Sequence, residues 1–422
     1  MSAGGVSTVR GTNGGPAGGD RHTVVVGGGV VGLLTAVECV RAGQHITLLE
    51  RGPLPHPGSS SHDRHRVMRA LHPHDPGATR AAVTAHRLWR ELESLLDGRF
   101  LYRTGVLTTL PAGETASAAA GLTRAGLRAR VLAPRQLPET YRHLAFPAGL
   151  GAVLEEDTGV LLADRVLGAA VRWLGAHPRA RLLPHTTVTA VDAAARAVTV
   201  EDGRTLRGDR VLLAAGAWSR ALLPPVLAGR LTVHRQTMVY CDPPPRERER
   251  WRGTPAVPVS GIPWGAWLVP PVAGTPLKLS ADALCRVVAG PDVPEPDQAP
   301  AGEPASRFTE LVPGLRPEWV VGTRDCHYVT DGTSGGTLLA DLGAGAVLAH
   351  CACGGGAFKF APLTARTLAS RFGGVPPAPT GLHPLDHPVA TGPGDPAPTP
   401  TTQETTRDRL QRQNVPQHRG GP

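Results

Sequence analysis

The sequence predicts an α/β fold in which a discontinuous Rossmann-like domain carries an inserted antiparallel-sheet (α+β) substrate domain. A strand, a glycine turn, a helix and a second strand follow one another in His22–Glu50. Apolar strands that end in glycine turns return in Arg181–Gly216 and Ala346–Phe360. A chain of 422 residues is also too long for one simple core. We therefore expect the chain to leave one sheet, build a second domain, and come back.

The first unit has the complete pattern of a dinucleotide-binding βαβ motif. The β-run HTVVV meets the turn Gly27–Gly32, and the helical stretch LLTAVECVRAG closes on Gly43, which suits a helix C-cap. The second strand, HITLLE, ends on Glu50, 18 positions after the last glycine. A glycine fingerprint alone is weak, but this order of elements makes it specific.

Each glycine of this turn has a physical task. Gly27 permits the tight turn, Gly29 lets the backbone approach a pyrophosphate, and Gly32 lets the helix pack on the strand. The helix N-terminus offers free N–H groups and about half a unit of positive charge. Glu50 would accept hydrogen bonds from a ribose 2′-OH, which argues against a 2′-phosphate. The alternative, a glycine-rich turn that binds nothing, fits the complete motif less well.

Two later segments extend the same sheet. Arg181–Gly216 contains two strands joined by an Asp-Gly turn and then the apolar strand RVLLAAGAW. Ala346–Phe360 reads AVLAHCACGGGAFKF and leads into the helix-like PLTARTLASRF. These returns predict a nucleotide-binding domain of residues 21–75, 150–225 and 321–376, and a substrate domain of residues 76–149 and 226–320. Residues 1–20 and the tail 387–422 have too few apolar residues to fold, so we expect disorder in both.

Composition excludes several classes of function. The net charge of +9 comes from scattered arginines without interleaved aromatic residues, which argues against nucleic-acid binding and for a solvated surface. The longest apolar stretch, Val24–Val37, is too short to span a bilayer. The first residues have no apolar h-region, and the six cysteines are too sparse for a disulfide framework. We expect a soluble cytoplasmic protein without a membrane partner.

Lysine is scarce in this chain. Only Lys278 and Lys359 stand among 44 basic residues. A guanidinium cannot replace a compact ammonium whose charge can be tuned. Both lysines are therefore candidates for chemistry, although a GC-rich genome could also leave a few lysines by accident.

Several motifs along the chain occur together in one known family. They are GGGVVG with Glu50, SSSHDRHRVMR (59–69), GVLLADRVLGAAV (159–171), HTTVTAV (185–191), LLAAGAWS (212–219), VHRQTMVY (233–240), PLKL (276–279), CHY (326–328) and GGGAFKF (354–360). With these motifs the chain resembles the FAD-dependent D-amino-acid oxidase superfamily, and within it the monomeric sarcosine oxidase group. The resemblance covers roughly residues 22–375.

The resemblance implies that the nucleotide is FAD and that the protein is a monomer. It assigns to FAD the residues Gly27, Gly29, Gly32, Glu50, Arg51 and Ser60 at the ADP half, Val188 and Gly216 at the adenine and pyrophosphate, and Arg66, Gly355, Ala357 and Phe358 at the flavin ring. Four further residues are assigned to the cofactor without a place along it: Val30, Val31, Val67 and Lys359. Cys326 would attach the flavin covalently through a thioether to its 8-methyl carbon.

The resemblance also implies catalytic roles. Arg69 and Lys359 would hold the carboxylate of the substrate. Lys278 would stand near N5 of the flavin, where the family activates oxygen, and Tyr328 would line the pocket. Both lysines thus fall on functional positions.

The role of Lys278 has a physical reason and an alternative. The alternating run PLKLSAD is expected to place Lys278, Ser280 and Asp282 on one strand face. An ammonium fixed beside the flavin would stabilise negative charge on reacting O2, and such a preorganised group is worth about 3–4 kcal/mol. The alternative is a surface lysine on an edge strand.

Lys359 lies between two phenylalanines in a glycine-rich turn. A charge between apolar groups is costly unless an anion pairs with it, and the substrate carboxylate would be that anion. The alternative is a lysine at a helix start whose amine reaches out to solvent.

The cysteines and histidines also allow both a functional and a structural interpretation. Arg324 or His327 is expected to favour the thiolate of Cys326, which otherwise would be a small buried hydrophobe. Cys351-x-Cys353 could be half of a metal site, but no second pair stands at ligand spacing, which favours core packing. Between His56 and His74 the histidines are expected in loops, with His62 and His65 near the flavin edge.

Three departures from the family pattern bear on the substrate. Cys326 is followed by HYVTDGT, without the usual Thr-Pro-Asp order, and Asp282 stands where the sarcosine oxidases carry histidine. The loop GIPWGAWLVPPV adds Trp264 and Trp267, which would shape a different cavity. The expected substrate is a larger or more cationic amine than sarcosine.

Three functions remain open from the sequence. The first is an FAD amine oxidase that converts a carboxylate-bearing secondary or cyclic amine into an imine and reduces O2 to hydrogen peroxide. The second is a biosynthetic tailoring oxidase of a cyclic amine or imine that performs two successive oxidations. The third is a dehydrogenase that passes electrons to an acceptor other than oxygen, or a flavoprotein that acts as a binding module.

Overall fold

The computed structural model describes residues 21–292, 306–374 and the backbone of 389–390. The predicted disordered segment 1–20 lies outside the described residues. So does the predicted tail 387–422, apart from the two-residue strand Val389–Ala390.

The α-helices of the described residues are α1 Val30–Arg41, α2 Pro76–Leu95, α3 Thr115–Arg124, α4 Gln136–Thr140, α5 Ala163–Gly175, α6 Pro225–Ala228, α7 Pro245–Trp251 and α8 Ala357–Phe372. The strands are β1 His22–Val26, β2 His45–Leu49, β3 Arg66–Met68, β4 Leu101–Tyr102, β5 Val106–Pro111, β6 Ala129–Leu132, β7 Leu150–Glu155, β8 Gly159–Leu161, β9 Ala180–Leu183, β10 Val188–Asp192, β11 Ala197–Val200, β12 Thr205–Arg207, β13 Arg210–Leu213, β14 Leu231–Cys241, β15 Ala256–Val259, β16 Ala266–Val269, β17 Leu277–Ala281, β18 Cys285–Val288, β19 Val320–Asp331, β20 Thr337–Asp341, β21 Val347–Cys353 and β22 Val389–Ala390.

A seven-stranded sheet contains the first βαβ unit. Its strands run in the order β22, β20, β21, β13, β1, β2, β9. β1 pairs in parallel with β2 and β13, β2 pairs in parallel with β9, and β13 pairs in parallel with β21. The predicted Rossmann-like sheet is therefore confirmed, and the strands that return late in the chain join it as expected.

The central strands β1 and β13 are buried on both faces, as sheets of this class require. Val25 and Leu212 point into a core formed with α1, α2, α5 and α8. Their neighbours Val24 and Val211 point into a second core on the opposite face. This explains why HTVVV and RVLL are continuous apolar runs and do not alternate with polar residues.

A nine-stranded sheet forms the second large layer. Its order is β18, β14, β17, β16, β15, β5, β7, β6, with β19 also paired to β14. Every pair in it is antiparallel except β15 with β5. This is the antiparallel sheet that the sequence predicts.

Two strands belong to a different sheet from the one that the predicted domain boundaries imply. β7 and β19 fall within 150–225 and 321–376, which the sequence assigns to the nucleotide-binding domain, yet both pair within the nine-stranded sheet. The reason is that an apolar run does not reveal which sheet it joins. The division into two domains itself stays a prediction.

The glycine turn has the geometry that its residues predict. Gly27 has a φ of +107°, which a residue with a side chain rarely adopts. A Cβ on Gly32 would lie 2.0 Å from the carbonyl oxygen of Gly27, so the start of α1 packs directly on the turn. None of the helices that the structure describes is both long and apolar enough to cross a membrane.

Candidate active site

A cavity of about 290 Å³ opens where β1 meets α1. Ten of the predicted cofactor residues line it: Gly27, Gly29, Val30, Val31, Glu50, Arg51, Ser60, Val188, Gly216 and Ala357. They come from the first βαβ unit, from the loop after β2, and from the two segments that return to the sheet. The fold thus brings together residues that lie far apart in the sequence.

Backbone donors fix the carboxylate of Glu50 at the edge of this cavity. Its Oε2 accepts a hydrogen bond from the N–H of Gly28 at 2.8 Å, and its Oε1 accepts one from Gly52 at 3.1 Å. His56 contacts Oε1 at 3.1 Å through Nδ1. The acid is 7% exposed, so it is oriented before any ligand binds.

The chemistry of this cavity fits the ADP half of a flavin dinucleotide. The first turn of α1 carries no acidic residue, and Gly29, Val30 and Val31 at its start line the cavity. Gly216 has a φ of +58° and open space around its missing Cβ, so the backbone can approach a ligand closely. Arg51 lies 4.1 Å from the centroid of the Trp218 ring and forms one wall. These groups suit a diphosphate and a ribose.

Lys278 is buried at the centre of the nine-stranded sheet. It lies on β17 between β14 and β16, and it is 2% exposed. Its Nζ donates to Oδ2 of Asp63 at 2.6 Å and to the carbonyl of His65 at 3.0 Å. The alternative of a surface lysine on an edge strand is therefore wrong. The sequence predicts Asp282 on the same strand face as Lys278. That prediction is wrong, because Asp282 lies beyond the end of β17, in a 3-10 turn.

Arg66 connects Lys278 to Cys326. Its guanidinium donates to the carboxylate of Asp63 and, at 2.8 Å, to the carbonyl of Ser60. Its Nη2 lies 3.9 Å from the Sγ of Cys326. The sequence placed Arg324 or His327 next to the thiol, but the nearest cation is Arg66, which the chain brings in from 260 residues away.

Arg324 and His327 make other contacts. Arg324 donates to the carbonyl of Pro57 at 2.5 Å and approaches Nδ1 of His62 at 3.2 Å. His327 contacts Arg235 at 3.4 Å. His327 is adjacent to Cys326 on β19 and therefore points to the opposite face, whereas Arg324, two residues away, contacts Pro57 and His62 instead.

The surroundings of Lys278 act on its charge in opposite directions. Burial, together with the cations Arg66 and Arg324, lowers the pKa of Lys278 well below its usual value, while the Cys326 sulfur raises it. The Asp63 carboxylate at 2.6 Å favours the ammonium. The same burial lowers the pKa of His65 well below its usual range, so this ring is neutral.

A second cationic group lies around Arg69 and Lys359. The Nζ of Lys359 lies 2.8 Å from Nε2 of His72. Burial, with Lys359 and Arg69 nearby, lowers the pKa of His72 to about 2, so the imidazole is neutral and accepts the hydrogen bond. The amine of Lys359 therefore has a half-buried partner, in contrast to the alternative in which it reaches solvent. Burial and Arg69 lower the pKa of Lys359 well below its usual range, against the field of Glu155.

Arg69 is only partly exposed, and it has no hydrogen bond or ion pair with any residue that the structure describes. Burial lowers its pKa, and the carboxylates of Glu155 and Asp282 oppose this. Glu155 is fully buried and accepts hydrogen bonds from the N–H groups of Ala70 and Leu71 at 2.7 and 3.0 Å. It therefore fixes the backbone that follows Arg69.

Tyr328 lies between these groups and the glycine turn before α8. Its hydroxyl is 3.2 Å from the Sγ of Cys285, and its ring stacks on His234 at 4.7 Å. A Cβ on Gly355 would lie 3.5 Å from the Tyr328 ring, so the two touch. Burial and Cys285 raise the pKa of Tyr328, with Asp282 adding to the effect. The phenol therefore stays neutral.

The two added tryptophans separate. Trp267 lies with its ring centroid 5.9 Å from the Nζ of Lys278. Trp264 instead donates to Glu310 at 3.0 Å and packs against Phe308, away from both cationic groups. The expectation that both shape the cavity is wrong for Trp264, because its hydrophobic ring completes the core under β16.

Several predicted residues stand outside the cavity wall. Gly32 packs against Gly27, and the Phe358 ring stacks on Trp89 at 5.8 Å and lies 5.9 Å from the Arg66 guanidinium. Val67 belongs to β3 of the small sheet β3, β8, β4 and packs against a cluster of Val160, Leu162 and Val269. Cys351, in contrast, lines the cavity, and burial raises its pKa to about 12, as expected for a core thiol.

Sequence reasoning missed four residues with direct contacts to the predicted ones. Asp63 pairs with Lys278 and Arg66, Tyr240 donates to Asp63, His72 contacts Lys359, and Glu155 holds the loop of Arg69. Asp63 and Tyr240 lie inside motifs used for the resemblance, so a polar residue within such a motif was the available signal. His72 and Glu155 gave none.

The comparisons with known proteins agree with this geometry. The profile of the family described as FAD dependent oxidoreductase matches residues 22–371. The chain belongs to this family. FAD is the cofactor of the family, and the residues of the cavity fit its ADP half.

Two curated relatives match part of the chain. Monomeric sarcosine oxidase of Bacillus sp. is 26% identical over 204 residues, which cover 47% of this chain and 52% of the relative. N-methyl-L-tryptophan oxidase of Citrobacter koseri is 26% identical over 205 residues, which cover 48% of this chain and 55% of the relative. The match thus spans about half the length of these relatives.

Among solved structures, NikD, described as an unusual amino acid oxidase essential for nikkomycin biosynthesis, superimposes with a TM-score of 0.68. It is 22% identical, and the superposition covers 86% of this chain and 99% of that chain. Amadoriase I of Aspergillus fumigatus gives a TM-score of 0.64 at 17% identity, covering 84% and 86%. At these identities the likeness supports the fold alone.

Proposed function

We propose that this protein is a flavin-dependent oxidase of a secondary or cyclic amine that carries a carboxylate. Its products would be an imine and hydrogen peroxide. The observation that carries the proposal is the convergence of Arg69 and Lys359, two partly buried cationic side chains, on a site where Arg69 has no anionic hydrogen-bond partner among the described residues. The relatives named for sarcosine and N-methyl-L-tryptophan oxidation support the same substrate class.

In this proposal FAD is held by the residues of the cavity. The start of α1 would hold the diphosphate, and Glu50 would accept hydrogen bonds from the ribose hydroxyls. Bound FAD would supply the redox chemistry, since it accepts a hydride equivalent from the carbon beside the amine nitrogen and passes two electrons to O2. We propose that Cys326 holds it covalently, because its sulfur lies 3.9 Å from the guanidinium of Arg66, a residue expected beside the flavin ring.

The cations Arg69 and Lys359 would orient the substrate. A planar guanidinium binds a carboxylate through two parallel hydrogen bonds, and the lysine adds a third donor. Glu155 fixes the backbone beside Arg69, so the guanidinium is positioned before the substrate arrives. Holding the acid group in one place orients the amine end as well, which removes much of the entropy cost of the reaction.

Lys278 would act on oxygen. A buried ammonium held by Asp63 and His65 can stabilise negative charge that appears on O2 only during its reduction. Because both partners are fixed by the fold, the charge needs no rearrangement at the moment of reaction.

Asp282 points to the kind of amine. It lies close enough to Arg69 and Tyr328 to affect the pKa of both groups. We propose that this carboxylate interacts with a second cationic or hydrogen-bond-donating group of the substrate. A substrate larger than sarcosine follows from this, with Trp267 as an apolar wall near Lys278.

The test is a peroxide screen of the purified holoprotein across secondary amines, cyclic amino acids and their decarboxylated analogues. We expect peroxide from carboxylate-bearing amines and little from the analogues, and we expect Arg69→Met to abolish this preference. Dye reduction without peroxide would contradict the oxidase and indicate a dehydrogenase. A product that has lost four hydrogens would indicate two successive oxidations. Equal turnover with and without the carboxylate would contradict the role of Arg69 and Lys359.

A further inference from the structure

We propose that Asp63 is a positioning residue that keeps the Lys278 ammonium charged and in place, so that Lys278 and Arg66 can both be cations on the oxygen-reacting side of the cofactor. The proposal rests on the function proposed for Lys278. Asp63 is 3% exposed and stands in the motif SSSHDRHRVMR, where the sequence gave it no role.

The contacts of Asp63 converge from three parts of the chain. Oδ2 accepts hydrogen bonds from the Nζ of Lys278, on β17, and from the guanidinium of Arg66, on β3. Oδ1 accepts one from the hydroxyl of Tyr240, on β14, at 2.7 Å. Tyr240 and Lys278 are paired residues of adjacent strands, so the sheet itself sets their spacing. Each partner is thus a donor, which fits an ionised carboxylate.

The charges in this group leave one net positive charge. Lys278 and Arg66 are cations that repel each other inside the protein, and among the described residues Asp63 is the carboxylate that touches both. Without it, a buried lysine beside a guanidinium loses its proton, because a neutral amine avoids both desolvation and repulsion. With the Asp63 carboxylate present, Lys278, Arg66 and Asp63 form a triad that carries one net positive charge.

The surroundings allow the group to exchange protons with solvent. A groove of about 1070 Å³ is lined by residues that include His62, Asp63, Tyr240 and Arg324. Tyr240 and Asp63 therefore border this groove, whereas Lys278 does not line it. The charged and titratable groups that face Lys278 are Asp63, His65, Arg66, Tyr240, Arg324 and Cys326. Among them, Asp63 is the carboxylate in direct contact.

The scarcity of lysine makes a direct test possible. Biosynthetic labelling of the holoprotein with ¹³Cε-lysine gives one resonance from Lys278 and one from Lys359, which the variants Lys278→Met and Lys359→Met assign. We expect Asp63→Asn to lower the titration midpoint of Lys278 by about 1–3 pH units, the usual effect of an adjacent opposite charge. Tyr240→Phe keeps the carboxylate and is expected to shift the midpoint less.

The matched control is Asp164→Asn, which removes a nearby carboxylate that acts on His62 and has no contact with Lys278. It is expected to leave the Lys278 titration unchanged. Superimposable Lys278 titrations in wild type and Asp63→Asn would overturn the proposal, and so would an equal shift in the control. None of these readings requires a substrate, so a failed peroxide screen would not be mistaken for a failure of this proposal.

A second measurement covers the case in which Asp63→Asn does not fold. The double variant Asp63→Asn/Lys278→Met removes both charges of the pair and is expected to fold better than Asp63→Asn alone. A double variant that is as unstable as the sum of its single substitutions would overturn the proposal. In variants that fold, the rate of reoxidation by O2 should begin to fall at a lower pH in Asp63→Asn than in wild type.

Discussion

Lysine is so scarce in this chain that the environments of Lys278 and Lys359 can be interpreted one by one. Lys278 is paired with a carboxylate, and Lys359 is paired with a neutral imidazole. The difference is chemical. The first lysine keeps its charge through its fixed contact with Asp63, while the second gains charge when an anion arrives beside Arg69. One cation is therefore permanent, and the other responds to the ligand.

The response of Lys359 makes anion binding depend on pH. Burial and Arg69 lower the pKa of the free Lys359, and a bound carboxylate raises it again, so binding takes up a proton. We expect the dissociation constant of acetate, followed by the visible spectrum of the holoprotein, to rise as pH increases through the pKa of free Lys359. Lys359→Met should bind more weakly and without this dependence. The same slope in both proteins would contradict the assignment.

Cys326 gives a prediction with a visible result. Acid precipitation of the wild-type holoprotein is expected to leave the yellow colour in the pellet, because a thioether survives denaturation. Cys326→Ser should release the flavin to the supernatant. Cys285→Ser is the matched control, since Cys285 contacts Tyr328 and lies apart from Arg66. Free flavin from the wild type would contradict covalent attachment.

At the scale of elements, the turn between β1 and α1 depends on a close approach of two glycines. A Cβ on Gly32 would meet the carbonyl oxygen of Gly27 at 2.0 Å, and a backbone atom cannot move aside easily. We expect Gly32→Ala to destabilise the protein by about 1–3 kcal/mol, as overpacking does, and to reduce the flavin content. Thermal unfolding and the ratio of flavin to protein absorbance measure both effects.

The control for that substitution is Gly121→Ala. Gly121 lies within α3 with open space around its missing Cβ, so alanine there should be neutral or slightly stabilising. An unchanged melting temperature and flavin content in Gly32→Ala would contradict the proposed packing of the turn.

A feature of this structure was predictable from the sequence when the residues that determine it lie close together in the chain. The βαβ unit was predictable because strand, turn and helix are adjacent in the chain and each obeys a local rule. The sheet that receives β7 was not, because pairing is decided by distant strands. The ion pair of Asp63 with Lys278 spans 215 residues, and no spacing in the sequence could reveal it.

At the scale of the whole molecule, the two large sheets contribute different parts of the proposed site. The parallel sheet supplies the start of α1 and the cavity that fits the dinucleotide, while the antiparallel sheet supplies Lys278, Tyr240 and Cys326. Arg66 lies on β3 and contacts Asp63, the partner of Lys278, and Arg69 lies just after β3, near Lys359. The proposed chemistry therefore requires both sheets, and neither alone contains the site.

The measurement that tests this account most directly separates the two half-reactions by rapid mixing. Arg69→Met should weaken substrate binding in anaerobic flavin reduction about 30-fold or more, corresponding to roughly 2–5 kcal/mol, and leave reoxidation by O2 unchanged. Lys278→Met should do the reverse and slow reoxidation by about 10²–10³-fold. If either substitution impairs both half-reactions equally, the division between an anion-binding group and an oxygen-reacting group is wrong.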